Sequence, residues 1–243
     1  MNSGMYAALS GNLASMRRLD VLTNNLANAN TAGFKKDRLM FESLMTNAKD
    51  LTQNVNPGNT PVLSGDRFYT DFSQGPLRQT GNTLDLALEG DGFFVIDTPQ
   101  GRAYTRQGNF QRDGNGKLVT TDGFEVLGSG PITIASGKVD IDPRGSVVVN
   151  GVPVATLQVV DFPKPYALQK IGNAMFVPSD PQATPQPVTN PRVTQGAIED
   201  SNVSTIQEMA YLIETTRFFE TCQRVVKSYD DMAGKAANEL GRL

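Results

Sequence analysis

The sequence predicts an α+β chain in which long N- and C-terminal α-helices, packed as a coiled-coil-like pair, flank an inserted, mainly antiparallel all-β domain. Three observations carry this expectation. The last stretch, Ser201 to Leu243, lacks proline and repeats apolar or small residues at Met209, Leu212, Thr216, Phe219, Cys222, Val226, Tyr229, Ala233, Ala236 and Leu240. Those intervals alternate almost strictly between three and four, the period of a coiled-coil seam. The first stretch mirrors it with Met5, Leu9, Leu13, Met16, Leu19, Leu22 and Leu26. Between Leu77 and Ala197, short alternating runs are punctuated by turn residues, as in an all-β sandwich or barrel.

The N-terminal helix is expected over roughly Asn2 to Asn28, supported by Ala7, Ala8, Ala14 and Ala27 and stopped by Asn28, Asn30 and Gly33. Lys35 and Lys36 follow, where the helix dipole favours cations. Four asparagines, Asn24, Asn25, Asn28 and Asn30, stand before Phe34. Asparagine competes for backbone hydrogen bonds, so the run reads as a fraying helix end and turn, or as amides that satisfy buried backbone groups in a packed assembly. From Phe34 to Pro76 the pattern is weak. Leu39, Met40, Phe41, Leu44 and Met45 suit a short helix or an extended arm, and Asn54 to Gly65 reads as loop.

In the β region, Leu84, Leu86 and Leu88 alternate, and Phe93 to Ile96 follows the Asp91-Gly92 turn as a buried strand. Further strands are expected around Tyr104, Leu118 to Thr120, Phe124 to Leu127, Ile132 to Ile134, Val139 to Ile141 and Thr156 to Phe162. Asn150-Gly151 between Ser146–Val149 and Val152–Ala155 is a two-residue hairpin signal, with Pro153 marking an edge or a bulge. Five prolines from Pro178 to Pro191 suggest a stiff return arm. The C-terminal helix then opens at Ser201, Asn202 or Ser204, with Gln207 completing a capping box. A second apolar row at Ile206, Ile213, Val225 and Met232 widens its face. At 1.5 Å per residue it is about 60 Å long, too long for a small domain to cover. From this helix alone, folding back on its own domain and pairing with other subunits are equally open. The resulting division is 1–33 helix, 34–76 arm, 77–197 β domain and 198–243 helix.

Composition narrows the function. The 243 residues are 39% hydrophobic and 19% charged, with a net charge of -3, and the pI of about 5.1 leaves no footprint for nucleic acid. No apolar run approaches membrane-spanning length, and the first cation is Arg17, so a cleaved secretory signal is not expected. Histidine is absent, which removes the usual triad base and the commonest metal ligand. The single cysteine, Cys222, sits on the helical seam as a small apolar residue. Asp113-Gly114-Asn115-Gly116-Lys117 begins like a calcium loop, but Lys117 and Leu118 stand where a ligand and the required glycine belong, so a polar hairpin turn is expected. Glu89, Asp91 and Asp97 are the carboxylates a glycan-acting enzyme or binding module would use. Their flanking glycines and strand-end positions suit turns better. No catalytic, cofactor or metal residue is expected.

Leu19 to Lys35, LDVLTNNLANANTAGFK, resembles the N-terminal signature of the bacterial flagellar rod and hook axial proteins. Gly90-Asp91-Gly92-Phe93-Phe94-Val95 and Tyr104-Thr105-Arg106-Gln107-Gly108-Asn109-Phe110 resemble stretches of that family's β domain. Glu199 to Ser204, Glu208-Met209 and Thr216 to Glu220 resemble its C-terminal helix. Within the family the length suits a rod protein, since a hook protein carries an additional outer domain. The ending Ala236 to Leu243 is similar to that of the proximal rod type, with a distal rod or hook-type subunit of the same family as the alternative.

The resemblance implies a structural subunit, exported through the flagellar type III apparatus without a cleaved signal. Such subunits stack helically with their own copies and with other rod proteins into a hollow shaft that crosses the periplasm, transmits torque and passes export substrates. It also implies that the terminal helices line the inner tube, with the β domain outside. The assembly interface is then expected at Leu9, Leu13, Met16, Leu19, Leu22, Asn24, Asn25, Leu26 and Asn28 on the first helix and its end. On the last helix it falls at Met209, Leu212, Phe219, Cys222, Val226, Tyr229 and Leu240.

Overall fold

The computed structural model describes residues 2–41, 66–134, 137–180 and 183–240. In chain order the elements are α1 (Asn2–Ala27), β1 (Asp37–Phe41), β2 (Asp66–Thr70), β3 (Leu77–Gln79), β4 (Leu86–Leu88), β5 (Phe93–Thr98) and β6 (Gly101–Thr105). There follow β7 (Gln111–Arg112), β8 (Leu118–Val119), β9 (Glu125–Val126), β10 (Val139–Ile141), β11 (Ser146–Val149), β12 (Val152–Thr156) and β13 (Val159–Asp161). The last are β14 (Leu168–Gly172), β15 (Met175–Pro178), β16 (Gln186–Pro187), β17 (Val193–Gln195), β18 (Ala197–Glu199) and α2 (Thr205–Leu240). The fold is α+β, with two helices at the ends of the chain and an antiparallel β region between them that does not close into a barrel.

The chain forms two compact units that share it in alternation. One comprises residues 1–27, 36–71 and 204–243, the other 28–35 and 72–203. The first unit holds α1, α2 and the antiparallel ribbon β1–β2, in which Leu39 stands opposite Phe68 and Asp37 opposite Thr70. Of the residues read as a short helix or an arm, Leu39, Met40 and Phe41 are therefore strand. Leu44, Met45 and the loop expected over Asn54–Gly65 lie outside the described residues.

In the second unit the largest sheet runs β14-β15-β6-β5-β9-β8-β7, with β13 joining β5 and β16. Strand β5 is its centre because Phe93-Phe94-Val95-Ile96 is apolar on both faces, and all four are buried. Phe94 and Ile96 face a core with Leu86, Leu118, Val126, Ile132 and Val147. Phe93 and Val95 face a second core with Tyr104, Phe162 and Phe176. Each of these side chains contributes about 1.5–3 kcal/mol by leaving water. Ile132 and Ile134, expected as a strand, join the first core from an irregular segment held by the Lys117↔Thr133 bridge.

The Asn150-Gly151 turn joins β11 to β12 with both residues in the left-handed region, φ 53° and 83°, as a type I′ hairpin requires. Pro153 lies on the edge strand of β10-β11-β12, beside a register shift at Val147/Val148. Two expectations are corrected. The proline-rich stretch is no free arm: Gln186–Pro187 pair with β13, and Val188 packs on the core. The start of the C-terminal helix at Ser201 is the other: the helix begins at Thr205, and of the three cap candidates Ser204 holds the N-cap position, its carbonyl accepting the first helical bond from the Glu208 N–H at 2.9 Å. Ser201 instead accepts the Val203 N–H, and Asn202 donates to Ser73.

Candidate assembly interface

In the first unit α1 and α2 pair along a seam whose intervals alternate four and three. On α2 it runs through Glu208, Leu212, Thr215, Phe219, Cys222, Val226 and Tyr229, and on α1 through Gly4, Ala8, Gly11, Ser15, Leu22 and Asn25, all buried or half-buried. The helices are antiparallel, since Gly4 lies against Tyr229, Gly11 against Cys222 and Asn25 against Glu208. Small residues bring the helices close. A Cβ on Gly11 would stand 3.1 Å from the Cys222 sulfur and 3.6 Å from the Phe218 ring, and one on Gly4 would fall on the Tyr229 hydroxyl. The seam hydroxyls are satisfied within their own helices, Ser15 donating to the Gly11 carbonyl and Thr215 to that of Tyr211, each at 2.7 Å.

One end of the seam is closed by a polar node. Asn25, 1% exposed, donates to the Asp37 carbonyl and accepts the Asp37 N–H, both at 2.9 Å. Its amide also donates to Glu208 at 3.4 Å. One side chain thus imitates a strand residue towards β1 while touching α2. This is the second use foreseen for the asparagine run, seen inside a single chain.

The residues expected at an assembly interface divide by position. Leu22, Asn25 and Cys222 are buried in the intramolecular seam, and Leu19, Leu26, Leu212, Phe219, Val226 and Tyr229 are half-buried along it. Leu9, Leu13, Met16 and Met209 are exposed, Leu13 by 54%. Asn24 is exposed, Asn28 is half-buried and accepts from Thr31, and the Leu240 side chain lies outside the described residues. The seam therefore runs one step round from the leucine stripe on α1, because close approach favours glycine, alanine and serine over leucine. More large apolar side chains are exposed on the same helices: Met5 and Tyr6 on α1, and Ile206, Tyr211, Ile213, Phe218, Val225 and Met232 on α2. Ile206 is 84% exposed.

The second unit contains a buried charge cluster that sequence reasoning missed. Lys35 and Glu199 are each 1% exposed and Arg106 4%. Glu199 accepts from the Lys35 Nζ at 2.5 Å and from the Gly75 N–H at 2.8 Å through Oε1, and from Arg106 at 3.3 Å through Oε2. Lys35 also donates to the Ser73 carbonyl at 2.8 Å, and Arg106 to that of Gly90 at 2.6 Å while lying over the Phe93 ring. Lys35 is thus a buried ion-pair partner and not a solvated cation at a helix end. Gly33 accompanies it at φ 66°, its N–H donating to the Glu199 carbonyl at 2.7 Å, and a Cβ there would strike the backbone of Arg106 and Gln107. The three family-like stretches meet here, each supplying one charge. The available signal was position: Lys35 follows a phenylalanine, and Glu199 ends the apolar run Ala197-Ile198.

The carboxylates weighed for catalysis are otherwise employed. Asp91 accepts from Lys164 at 2.6 Å, and that hydrogen bond holds its carboxyl below the usual range, opposite to what a general acid needs. Glu89 accepts from Thr194, and Asp97 lies on β5 opposite Arg102 and Glu125. A groove of about 570 Å³ in this unit, lined by Ser129, Asp142, Arg144 and Pro187 among others, includes none of the three. Asp113 caps its own turn, accepting from the N–H groups of Asn115 and Lys117. Among the described residues no group of three or more acidic or cysteine side chains is placed to hold a metal, and no helix is long and apolar enough to cross a membrane.

Three family models match along the chain in order. Residues 5–35 match the flagella basal body rod protein model, 87–149 the flagellar hook protein FlgE/F/G D1 domain, and 194–240 the flagellar basal body rod FlgEFG protein C-terminal model. The flagellar basal-body rod protein FlgF of Rhizobium meliloti is 34% identical over 248 residues, covering 99% of both chains. FlgF of Caulobacter vibrioides is 34% identical over 247 residues and 100% of both. The rod protein FlgG of Bacillus subtilis is 32% identical over 265 residues, covering 98% of this chain and 99% of its own. With antiparallel terminal helices, an inserted β unit and full-length relatives of this kind, the chain belongs to the flagellar basal-body rod and hook protein family.

Proposed function

We propose that this chain is a structural subunit of the bacterial flagellar basal-body rod, of the FlgF type, and not an enzyme. Its partners are copies of itself and other axial proteins, stacked helically into the shaft that transmits torque and passes export substrates. It reaches that place through the flagellar export apparatus, and its helix pair contributes to the wall of the tube.

The observation that carries this reading is the surface of α1. No charged residue precedes Arg17 in that helix, yet Met5, Tyr6, Leu9, Leu13 and Met16 are exposed. A helix whose outer side carries five large apolar residues and no charge gains stability when that side is buried. One side is covered by α2, and the rest requires other subunits. The FlgF type is preferred over the FlgG type because the FlgF relatives align over 247 to 253 residues, nearer this chain's length than the FlgG relatives at 257 to 265.

The test is Leu13→Asp expressed in a flagellated host lacking its own subunit. The variant is expected to fold, to be absent from purified basal bodies and to leave cells non-motile. Normal incorporation and motility of Leu13→Asp would refute the proposed interface, and failure of the unsubstituted chain to enter basal bodies and restore motility would refute the rod reading.

A further inference from the structure

The sulfur of this chain is unevenly placed. Met5, Met16, Met209 and Met232 are exposed, Met16 by 52%, and all four lie on α1 or α2. Met175, on β15, is buried in the β core at 7%. The single thiol, Cys222, is buried against Gly11. Among the described residues, the sulfur that solvent reaches is therefore thioether and is confined to the helical unit.

Each exposed thioether stands among bulky apolar neighbours. At about 100° per residue, Met5, Leu9 and Met16 fall within about 40° of one another on α1, as do Met209 and Ile213 on α2. Met232 continues Phe218 and Val225 at intervals of seven, and these neighbours are exposed too. Leucine matches methionine in helix propensity and nearly in volume, and α1 uses it at Leu9 and Leu13. What methionine adds at its own positions is a soft, oxidisable sulfur.

Oxidation changes what these patches offer. Hydrogen peroxide delivers one oxygen: its O–O bond breaks, an S–O bond forms, the sulfur gives up two electrons, and the other oxygen leaves as water. The sulfoxide is polar and meets no donor among apolar neighbours, so covering it with another subunit leaves a hydrogen bond unmade. On the structural-subunit reading, the four sulfurs are open in the free chain and covered in an incorporated one.

We infer that Met5, Met16, Met209 and Met232 are oxidation sites that gate assembly: a peroxide met before incorporation excludes the chain, and one met afterwards does not reach the sulfurs. The inference rests on the structural-subunit reading and adds to it a chemical condition on entry.

The first arm of the test treats the purified full chain with hydrogen peroxide and follows its peptides by mass spectrometry. Sulfoxide at the four positions is expected at least about tenfold faster than at Met175, which reacts only through openings of the β unit. Met175 keeping pace would overturn the assignment of the sites. The second arm uses a host lacking its own subunit and its methionine sulfoxide reductases, given a sublethal hydrogen peroxide pulse or none. It compares the parent chain with one carrying Met5→Leu, Met16→Leu, Met209→Leu and Met232→Leu. The pulsed-to-unpulsed ratio of chain in basal bodies is expected to be about tenfold lower for the parent, the contrast one unmade hydrogen bond produces. Equal ratios would overturn the gate. A leucine chain absent even from unpulsed basal bodies would give the sulfurs to packing and overturn it as well. The rod reading falls separately, if the unsubstituted chain fails to enter basal bodies without peroxide.

Discussion

Substitution of Glu199 by alanine is expected to destabilise the second unit more than loss of either of its cationic partners. The carboxylate faces two cations, Lys35 at 2.5 Å and Arg106 at 3.3 Å, and all three are buried. The cluster therefore carries one excess positive charge. Glu199→Ala leaves two uncompensated cations out of water and orphans the Gly75 N–H. Breaking a buried pair in this way costs about 3–5 kcal/mol. Lys35→Met instead leaves a balanced Glu199–Arg106 pair and fills the space with a stem of similar length. It is expected to cost about 1.5–3 kcal/mol, the worth of a hydrogen bond to a charged group. The assay is urea unfolding of the monomer followed by a probe of the β unit. With a slope of about 2 kcal/mol per molar, Glu199→Ala lowers the midpoint by roughly 2 M, and Lys35→Met by roughly 1 M. Equal shifts, or a Glu199→Ala midpoint within about 0.3 M of the parent, would show that the cluster is hydrated or already unpaired and would refute the charge accounting.

Asn25→Ala should weaken the helix pair, because it strands the Asp37 N–H and carbonyl together with Glu208. The expected cost is about 2–4 kcal/mol, read as earlier loss of helical circular dichroism, with the β unit unchanged. The phenol of Tyr166 is raised well above its usual value of 10.0, first by burial and then by the hydrogen bond to Asp161 at 3.0 Å. The folded state therefore holds this proton more tightly than the unfolded one. Its contribution is complete below pH 10 and is lost as pH rises from there towards the folded value. Spectrophotometric titration should show a phenol ionising above the ordinary range that disappears in Tyr166→Phe, and the same substitution should flatten the alkaline loss of stability.

The helices and the β region were legible because periodicity reports burial: Phe93 to Ile96 reads as a buried strand and is one, and Asn150-Gly151 marks a hairpin that forms. The facing of α1 was not legible. Hydrophobicity favours the Leu9–Leu13–Met16 stripe, but two helices packing closely prefer Ala8, Gly11 and Ser15, and hydropathy cannot rank backbone approach. Met209 and Glu208 show the same inversion, the apolar residue exposed and the acid buried, because Asn25 offers Glu208 an amide. The Lys35–Glu199–Arg106 cluster was hidden for a related reason. A charged residue read alone belongs to the surface, and only three of them drawn from distant stretches make burial tolerable. The ribbon β1–β2 was ambiguous because its strands are separated by a long connection, so no hairpin signal joins them.

The alternation of the two units along the chain has a consequence for how the protein comes to be folded. Neither unit is a continuous stretch: one needs residues 28–35 beside 72–203, the other residues 1–27 beside 204–243. Their closing contacts, Gly33 and Lys35 to Glu199 and Asn25 to Glu208, join residues from opposite ends of the sequence. Such long-range closure makes folding slow and late. A chain that emerges from any channel with its N-terminus first remains unfinished in both units until Glu199 and Glu208 have come through. In any such passage a chain of this order stays threadable for most of its length and commits to its final shape only at the end.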